Sequence, residues 1–171
     1  MPTFGPVLQV AGLMRGFPRP WCIAGGWAID LFLGHVTREH DDIDIAILRK
    51  DQRELQIHFA GWAFEKVVDA RRLRWADGEW LDPPVHEIHA ILETGARIEF
   101  LLNESSSAMW RFRRNPAITR RLDRIGMKTS AGVPFLVPEI VLLFKAKASV
   151  AKDARDSISS RPACGPSRAV G

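Results

Sequence analysis

Two short motifs in the first third of the chain contain residue types suited to phosphate chemistry. Gly25 and Gly26 precede an apolar stretch of helical character, and Asp42 and Asp44 open a strand-like segment. Backbone N–H groups at a glycine turn and a helix N-terminus bind phosphate, because they are unpaired donors at the positive end of the helix dipole. Two carboxylates at i and i+2 of a strand point to one face, about 6–7 Å apart along the chain. Such a pair holds hard cations such as Mg²⁺, so the two motifs together predict metal-dependent nucleotidyl transfer.

A third carboxylate is expected in this chemistry, where it ligates a metal or accepts the proton of the attacking hydroxyl. Glu99 is the best candidate, because an acid between apolar residues on a buried strand is costly unless it is paired or metal-bound. The alternative for Glu99 is an edge-strand position paired with Arg97. Asp82 is the second candidate, although it precedes two prolines and has the sequence context of a turn. A D-x-D pair is also common on solvated strand faces, and the upstream glycine pair is what favours a metal site.

Length, composition and charge limit the class of protein. A chain of 171 residues that is 46% hydrophobic has the size and apolar content of one domain. Its net charge of +4 and pI of about 9.5 fit an anionic nucleotide and do not require nucleic acid. Cys22 and Cys164 are too few for a disulfide framework and favour a reducing, cytoplasmic compartment. We predict neither a secretory signal nor a membrane span, since the longest apolar run is residues 140–144.

Hydrophobic periodicity predicts an α/β (α+β) fold. Helices are predicted over 3–15, 27–33, 51–60 with Asp51 as cap, and from Pro138 to about 147. Strands are predicted over 21–24, 42–48, 64–68, 85–92 and 96–102, with a hairpin over 71–81 and short strands and loops over 108–134. Residues 1–152 are predicted to form one domain. Residues 153–171 are rich in turn formers and poor in apolar residues, which predicts a disordered tail.

The stretch Gly25-Gly26-Trp27-Ala28-Ile29-Asp30, followed by Thr37-Arg38-x-His40-x-Asp42-Ile43-Asp44, resembles the polymerase-beta-like nucleotidyltransferase superfamily. Within it, the chain is most similar to the aminoglycoside 2''-nucleotidyltransferase and lincosamide nucleotidyltransferase group. The likeness is specific over 21–48 and weaker to about residue 150. It implies a small mixed β-sheet flanked by helices, with Mg²⁺ as cofactor and ATP or another NTP as donor. It also implies transfer of AMP to a hydroxyl of a small acceptor, with release of pyrophosphate.

The same resemblance implies roles for individual residues. Asp42 and Asp44 become metal ligands and catalytic residues, Glu99 becomes the third carboxylate, and Gly25 and Gly26 bind phosphate. The wider superfamily often has Ser after the first glycine, which would add a hydroxyl contact to phosphate. This chain has Gly-Gly-Trp instead, as does the aminoglycoside and lincosamide group.

Several basic residues are candidates for contacting the nucleotide. Arg38 and His40 stand just before the acidic strand; the alternative is that Arg38 pairs with Asp30 or Asp41 and His40 caps the strand. Further along the chain, Lys145 is a predicted phosphate ligand, as is Lys152, the alternative being a solvated helix face. His35 and His40 have a zinc-like spacing, but no further cysteine or histidine pair supports zinc there.

Other functions stay open at this stage. Arginines between 111 and 124 suggest RNA contact, but a solvated hairpin is favoured and we expect no nucleic-acid partner. Trp62, Trp75 and Trp80 suit base stacking, although core positions are favoured. A toxin–antitoxin-type nucleotidyltransferase acting on RNA or protein would use the basic stretch. A catalytically inactive nucleotide-binding module would fit the unusual tail. No oligomeric state follows from the sequence.

Overall fold

The structure is a computed structural model that describes residues 3–91, Gly95 and 97–146. The chain divides into a first unit, Met1–Val141, and a second unit, Leu142–Gly171. The described part of the second unit is the helical stretch 142–146. Lys152 and the predicted tail, 153–171, lie outside the described residues, so the predictions for them stand as predictions.

Four helices and ten strands form the described part of the chain. The helices are α1 (Gly5–Leu13), α2 (Gly25–Leu33), α3 (Arg53–His58) and α4 (138–146). The strands are β1 (Trp21–Ile23), β2 (Asp44–Leu48), β3 (Ala63–Val68), β4 (Arg71–Arg74), β5 (Glu87–Ile91), β6 (Arg97–Ser106), β7 (Met109–Arg111), β8 (Thr119–Arg121), β9 (Gly126–Lys128) and β10 (Pro134–Leu136). In the described ranges, no helix has the length and apolarity needed to cross a membrane.

The strands form a mixed sheet in the order β4-β3-β5-β6-β2-β1-β10-β9. The β2–β6 and β1–β10 pairs are parallel, and the other neighbours in this order are antiparallel. The far half of β6 also pairs with β7, which in turn pairs with β8. The predicted α/β fold with a mixed sheet and flanking helices is therefore confirmed.

The hydrophobic core lies against one face of the central strands. Ile45 and Ile47 of β2 and Ile98, Phe100 and Leu102 of β6 alternate along their strands and are all buried. This period of two places them on one face. The ring of Phe59, just after α3, packs 5.7 Å from the ring of Phe100. The α3 region therefore covers the apolar face, and the intervening strand positions occupy the other face.

Asp51 does not cap a helix, contrary to the sequence prediction. The N-cap of α3 is Gln52, and the first turn begins at Arg53 without a side-chain cap bond. Asp51 instead ends a short 3₁₀ turn, Arg49–Asp51, and is buried 3.8 Å from Arg19. Burial raises the pKa of Asp51 above its ordinary value. Asp51 does not act as the predicted helix cap because it belongs to the 3₁₀ turn, where its carboxylate is buried.

The predicted hairpin over 71–81 is shorter and pairs differently. Only Arg71–Arg74 forms a strand. It pairs antiparallel with the preceding strand β3, and the turn between them is formed by Asp69 and Ala70, which both have positive φ. Trp75 then enters the core and donates its indole N–H to the Glu79 carbonyl, 2.9 Å away. The core position favoured from the sequence is thus found for Trp75, which directly follows the last residue of β4.

Candidate active site

Three titratable residues lie in one row across three neighbouring strands. Asp44 on β2 is the register partner of Glu99 on β6, and Glu99 is the register partner of His89 on β5. Directly opposed residues in a sheet point to the same face, so the three side chains share the face opposite the core. The Glu99 side chain is 12% exposed and lies 3.4 Å from the Arg97 guanidinium. The Arg97 pairing therefore exists, but on an interior strand rather than at an edge.

Gly25 brings the Asp44 carboxylate against the first turn of α2. Its φ is +60°, a left-handed conformation that glycine adopts without steric cost. A Cβ at this position would overlap Asp44 Oδ2. The Ala24 N–H also donates to the Asp44 carbonyl at 2.8 Å, which ties the turn to the first residue of β2. Both the conformation and the space at residue 25 thus require glycine.

Gly26 makes room for two basic side chains at the same helix terminus. A Cβ there would lie 2.6 Å from His40 Nδ1 and 3.0 Å from Arg38 Nη2. The N-cap residue of α2, Ala24, makes no side-chain cap hydrogen bond. The leading N–H groups of the helix therefore lie beside the Arg38 guanidinium. Unpaired helix N–H groups next to a cation are well suited to phosphate oxygens.

Asp30 connects α2 to the loop that leads into the acidic strand. It is 1% exposed, and its two oxygens accept hydrogen bonds from Thr37 Oγ1 at 2.6 Å and His40 Nε2 at 2.7 Å. Burial by itself raises the pKa of Asp30, but these hydrogen bonds outweigh it and hold the pKa below its ordinary value. Asp30 thus bonds Thr37 and His40, and the Arg38 guanidinium instead donates to the Glu39 carbonyl at 2.9 Å. The nucleotide contacts predicted for Arg38 and His40 stay predictions.

Trp27 fixes the backbone just before the strand. Its indole N–H donates to the Asp42 carbonyl at 3.0 Å, and its ring lies 4.5 Å from the His40 ring. Asp42 itself precedes β2 and is exposed, so the strand begins two residues later than predicted. The Trp27 contacts therefore set the position from which the Asp42 carboxylate extends.

The electrostatics of Glu99 link it to the other acids. Burial raises its pKa above the ordinary value; His89 and Arg97 lower it, while Asp42 and Glu87 raise it. The structure brings Asp44 and Glu99 side by side next to the glycine turn. Asp42 lies two residues before Asp44, just ahead of β2. Asp82 is elsewhere, in a turn where it accepts the Trp80 indole N–H at 3.1 Å.

The Mg²⁺ implied by the sequence resemblance fits this set of residues. Hard divalent cations prefer carboxylate oxygens, and Asp44 and Glu99 are paired here with Asp42 just before the strand. Burial raises the pKa of Glu99, and the negative charges of Asp42 and Glu87 raise it further. A bound cation would relieve this repulsion. Lys145 belongs to the second unit and stays a predicted phosphate ligand.

Sequence reasoning missed Glu87 and His89. His89 is buried, and its Nε2 lies 2.6 Å from Glu87 Oε1. The alternation of Glu87, Ile88, His89 and Ala90 was a signal that the two polar residues share a face. It did not reveal that β5 lies next to β6.

The structure bears on two further alternatives, the histidine pair and the basic stretch. His35 Nδ1 lies 3.3 Å from the Leu33 carbonyl while His40 bonds Asp30, so these histidines have separate partners. The basic stretch forms the β7–β8 hairpin, in which Arg121 pairs with Asp123 at 2.7 Å. This agrees with the favoured solvated hairpin.

Replacing Gly25 with alanine is expected to reduce nucleotidyl transfer at least about 100-fold and to lower the melting temperature. A left-handed φ at a non-glycine residue costs about 1–3 kcal/mol, and the new Cβ would displace the Asp44 carboxylate. Gly34→Ala is the matched control, since Gly34 has φ +78° with nothing within 4 Å of its Cβ position. It should lose stability but keep activity. Equal activity losses in both variants would contradict a specific role for the Gly25–Asp44 approach.

Glu99→Gln is expected to raise the melting temperature at neutral pH. A raised pKa means that the folded protein binds the Glu99 proton more tightly than the unfolded chain does. The resulting destabilisation is absent well below the ordinary pKa of 4.5 and grows as pH rises through the folded-state pKa. Thermal melts across pH should therefore show a gain for the variant at about pH 7.5 that vanishes near about pH 4. Glu39→Gln, at an exposed position, should show no such trend, and a variant less stable than wild type at about pH 7.5 would refute the argument.

Solved structures share the fold of this chain. A Thermotoga maritima protein provisionally described as a nucleotidyltransferase superposes with a TM-score of 0.57 at 15% identity, over 91% of this chain and 92% of that one. The lincosamide antibiotic adenylyltransferase LnuA, solved with lincomycin, gives 0.56 at 17% identity, over 83% and 85%. ANT(2'')-Ia in complex with adenylyl-2''-tobramycin gives 0.50 at 18% identity, over 77% and 67%. At these identities the similarity establishes the fold.

Curated relatives match over a shorter stretch. A 2''-aminoglycoside nucleotidyltransferase from Klebsiella pneumoniae is 40% identical over 65 residues, which span 37% of this chain and 37% of the relative. An Escherichia coli protein of the same name is 54% identical over 37 residues, or 22% and 21% of the two chains. The matched stretches thus cover 37% of the first relative and 21% of the second.

The family comparison covers most of the first unit. The aminoglycoside-2''-adenylyltransferase family model matches residues 6–113, a range that contains the glycine turn, both aspartates, His89 and Glu99. The chain belongs to the aminoglycoside-2''-adenylyltransferase family.

Proposed function

We propose that the protein is a Mg²⁺-dependent nucleotidyltransferase that moves AMP from ATP, or another NTP, to a hydroxyl of a small acceptor. The observation that supports this proposal is the approach of Gly25, Asp44 and Glu99, in which a glycine turn at a helix start lies beside two carboxylates. The names of the relatives, which act on aminoglycosides or lincosamides, support an antibiotic of one of these classes as the acceptor. The proposed site of action is the cytoplasm, where the donor nucleotide is available.

The glycine turn and Arg38 have the task of holding the triphosphate. The uncapped N–H groups of α2 donate to phosphate oxygens, and the nearby guanidinium adds positive charge. His40 lies in the same corner, held by Asp30 and Trp27. We propose that His40 supports the glycine turn and contacts the nucleotide from its position next to Gly26. Lys145 is kept in the proposal as a further phosphate ligand.

The carboxylates have the task of binding Mg²⁺ and receiving a proton. Asp42, Asp44 and Glu99 would hold the metal, which supplies positive charge to the phosphates and lowers the pKa of a bound hydroxyl. Glu99 is suited to accept the proton of the acceptor, because its raised pKa makes it a stronger base than an exposed glutamate. The acceptor oxygen attacks the α-phosphorus, the bond to the β-phosphate bridging oxygen breaks, and pyrophosphate leaves in line. Most of the rate gain then comes from positioning and charge neutralisation.

Residues 1–152 are proposed as the nucleotidyltransferase domain, and 153–171 as a segment outside the chemistry. Each carboxylate, the glycine turn, Arg38 and His40 lie in the first unit, Met1–Val141. A chain cut after Asp156 should therefore bind nucleotide with unchanged affinity, as measured by calorimetry. Loss of nucleotide binding on truncation would contradict this division.

The direct test is incubation with labelled ATP, Mg²⁺ and a panel of aminoglycosides and lincosamides, followed by mass spectrometry. A mass increase of one adenylyl group on a panel member, absent for Asp44→Asn, would support the proposal. Label appearing on RNA or protein instead would favour the toxin–antitoxin-type alternative, which also predicts salt-dependent RNA retention. ATP binding without transfer to any acceptor would favour the inactive binding module.

A further inference from the structure

One ring nitrogen of His89 contacts Glu87, and the other makes no hydrogen bond to the residues that the structure describes. The side chain is 3% exposed, and its Nε2 lies 2.6 Å from Glu87 Oε1. Among the described residues, Nδ1 has no hydrogen-bond partner. Leaving a buried polar atom unpaired is energetically unfavourable. Such an atom in a folded protein calls for an explanation.

The Glu87 contact determines which nitrogen carries the hydrogen. An ionised carboxylate only accepts hydrogen bonds, so Nε2 donates to Glu87. When the ring is neutral, Nδ1 carries the lone pair and has no hydrogen to donate, and a metal ion at Nδ1 would replace the second proton of the charged ring. A metal-binding histidine is usually held in this way, with a carboxylate on one nitrogen and the metal on the other.

The Nδ1 lone pair lies beside the Glu99 carboxylate. Nδ1 is 3.7 Å from Glu99 Oε1, which is too long for a hydrogen bond. Two ligands that are each about 2.1 Å from one zinc-class ion, at an angle of about 110–125°, lie about 3.4–3.7 Å apart. The observed separation therefore suits two ligands of one ion. One suitable atom each from Glu87, His89 and Glu99 lies within 4.8 Å of the others.

We propose that His89 Nδ1 and a Glu99 oxygen form a binding site for a borderline transition-metal ion such as Zn²⁺, with Glu87 orienting the imidazole. An imidazole nitrogen favours such ions, whereas Mg²⁺ prefers an all-oxygen environment. This site is therefore chemically distinct from the Asp42–Asp44 pair, although it shares Glu99 with it. Water would complete the coordination from the side where Glu87 is partly exposed.

The Arg97 guanidinium is the competing cation. It lies 3.4 Å from the same Glu99 oxygen, on a side chain that is 35% exposed. Solvent around the partly exposed Arg97 end weakens this ion pair, so an incoming divalent ion can displace the guanidinium. An ion at this site engages the proposed proton acceptor. Inhibition of transfer by Zn²⁺ is therefore expected, a consequence that rests on the proposed function, whereas the binding itself does not.

The test measures metal binding without nucleotide. Metal-free Asp44→Asn protein, which lacks the neighbouring carboxylate, is titrated with Zn²⁺ by calorimetry and with Co²⁺ by visible absorption. We expect one ion per chain and a Co²⁺ spectrum with nitrogen and oxygen ligands. His89→Gln in the same background should weaken Zn²⁺ binding at least about 100-fold, and Glu87→Gln about 10–100-fold. His35→Gln, which alters an exposed histidine, should leave the affinity unchanged.

Two outcomes would overturn the site. One is Zn²⁺ binding of equal strength in the His89→Gln protein, and the other is no Zn²⁺ binding by the parent up to about 1 mM, the range of weak sites. If His89→Gln fails to fold, ¹⁵N NMR of the histidine rings in the parent decides. The Nδ1 resonance of His89 must move on adding Zn²⁺, and an unmoved resonance refutes the proposal. Because no nucleotide is used, failure of nucleotidyl transfer would leave these results unchanged.

Discussion

Asp44→Asn is expected to lower kcat/KM for nucleotidyl transfer about 1000-fold or more while the melting temperature stays close to wild type. The substitution keeps the shape of the side chain and removes one negative charge next to the glycine turn. A metal-bound carboxylate contributes several kcal/mol to charge stabilisation in the transition state. At about 1.4 kcal/mol per factor of ten, a loss of about 4 kcal/mol corresponds to this fold-change.

Asp41→Asn is the matched control for this prediction. Asp41 is exposed, carries the same charge and lies just before the acidic pair. Its variant should retain activity within a factor of about three, as expected for a surface change. Steady-state kinetics at saturating Mg²⁺ make the comparison. Activity of Asp44→Asn within tenfold of wild type would show that the metal site is elsewhere.

Asp30→Ala is expected to destabilise the protein by about 2–5 kcal/mol, because two hydrogen-bonding groups lose their acceptor at about 1–3 kcal/mol each. The change leaves Thr37 Oγ1 and His40 Nε2 without the acceptors at 2.6 and 2.7 Å. It should also lower transfer activity, because the loop that carries Asp42 loses its anchor on α2. Urea unfolding with an unchanged m-value, together with kcat/KM, measures both effects.

The pH dependence gives this second prediction its own signature. The hydrogen bonds depress the pKa of Asp30, so their stabilisation is present above the ordinary value of 3.8 and is lost as pH falls through the folded-state pKa. The stability deficit of Asp30→Ala should therefore shrink in acid. Glu39→Ala, at an exposed position of the same loop, should change the unfolding free energy by less than about 0.5 kcal/mol. A deficit of under 1 kcal/mol for Asp30→Ala at neutral pH, as small as the effect of a typical single mutation, would show that Asp30 does not hold the loop.

The parts of the site that were predictable from sequence are those fixed by local geometry. A glycine pair before an apolar stretch indicates a turn with positive φ, and Gly25 has φ +60°. Acids at i and i+2 indicate one strand face, although Asp42 lies just outside β2. Glu99 was found because the cost of a charge among apolar neighbours can be read without knowing the fold.

The contribution of His89 was not predictable, because it depends on strand order. β5 lies between β3 and β6, and no local signal specifies this neighbour relation. Thr37 and His40 show a related limit. The sequence shows the spacing of these residues in the motif. It does not show their hydrogen bonds to Asp30, which form only when the loop folds back onto α2.

The parallel pairing of β2 with β6 has a consequence for how the protein folds. Asp44 and Glu99 are in register, but the chain between them contains α3 and three strands that are themselves paired with one another or with β6. A strand pairing between distant parts of the chain loses loop-closure entropy before its stabilising contacts form, so such pairings form slowly. Assembly of the carboxylate cluster should therefore be among the last steps of refolding. Divalent cations would bind after the transition state, and they should slow unfolding far more than they speed folding.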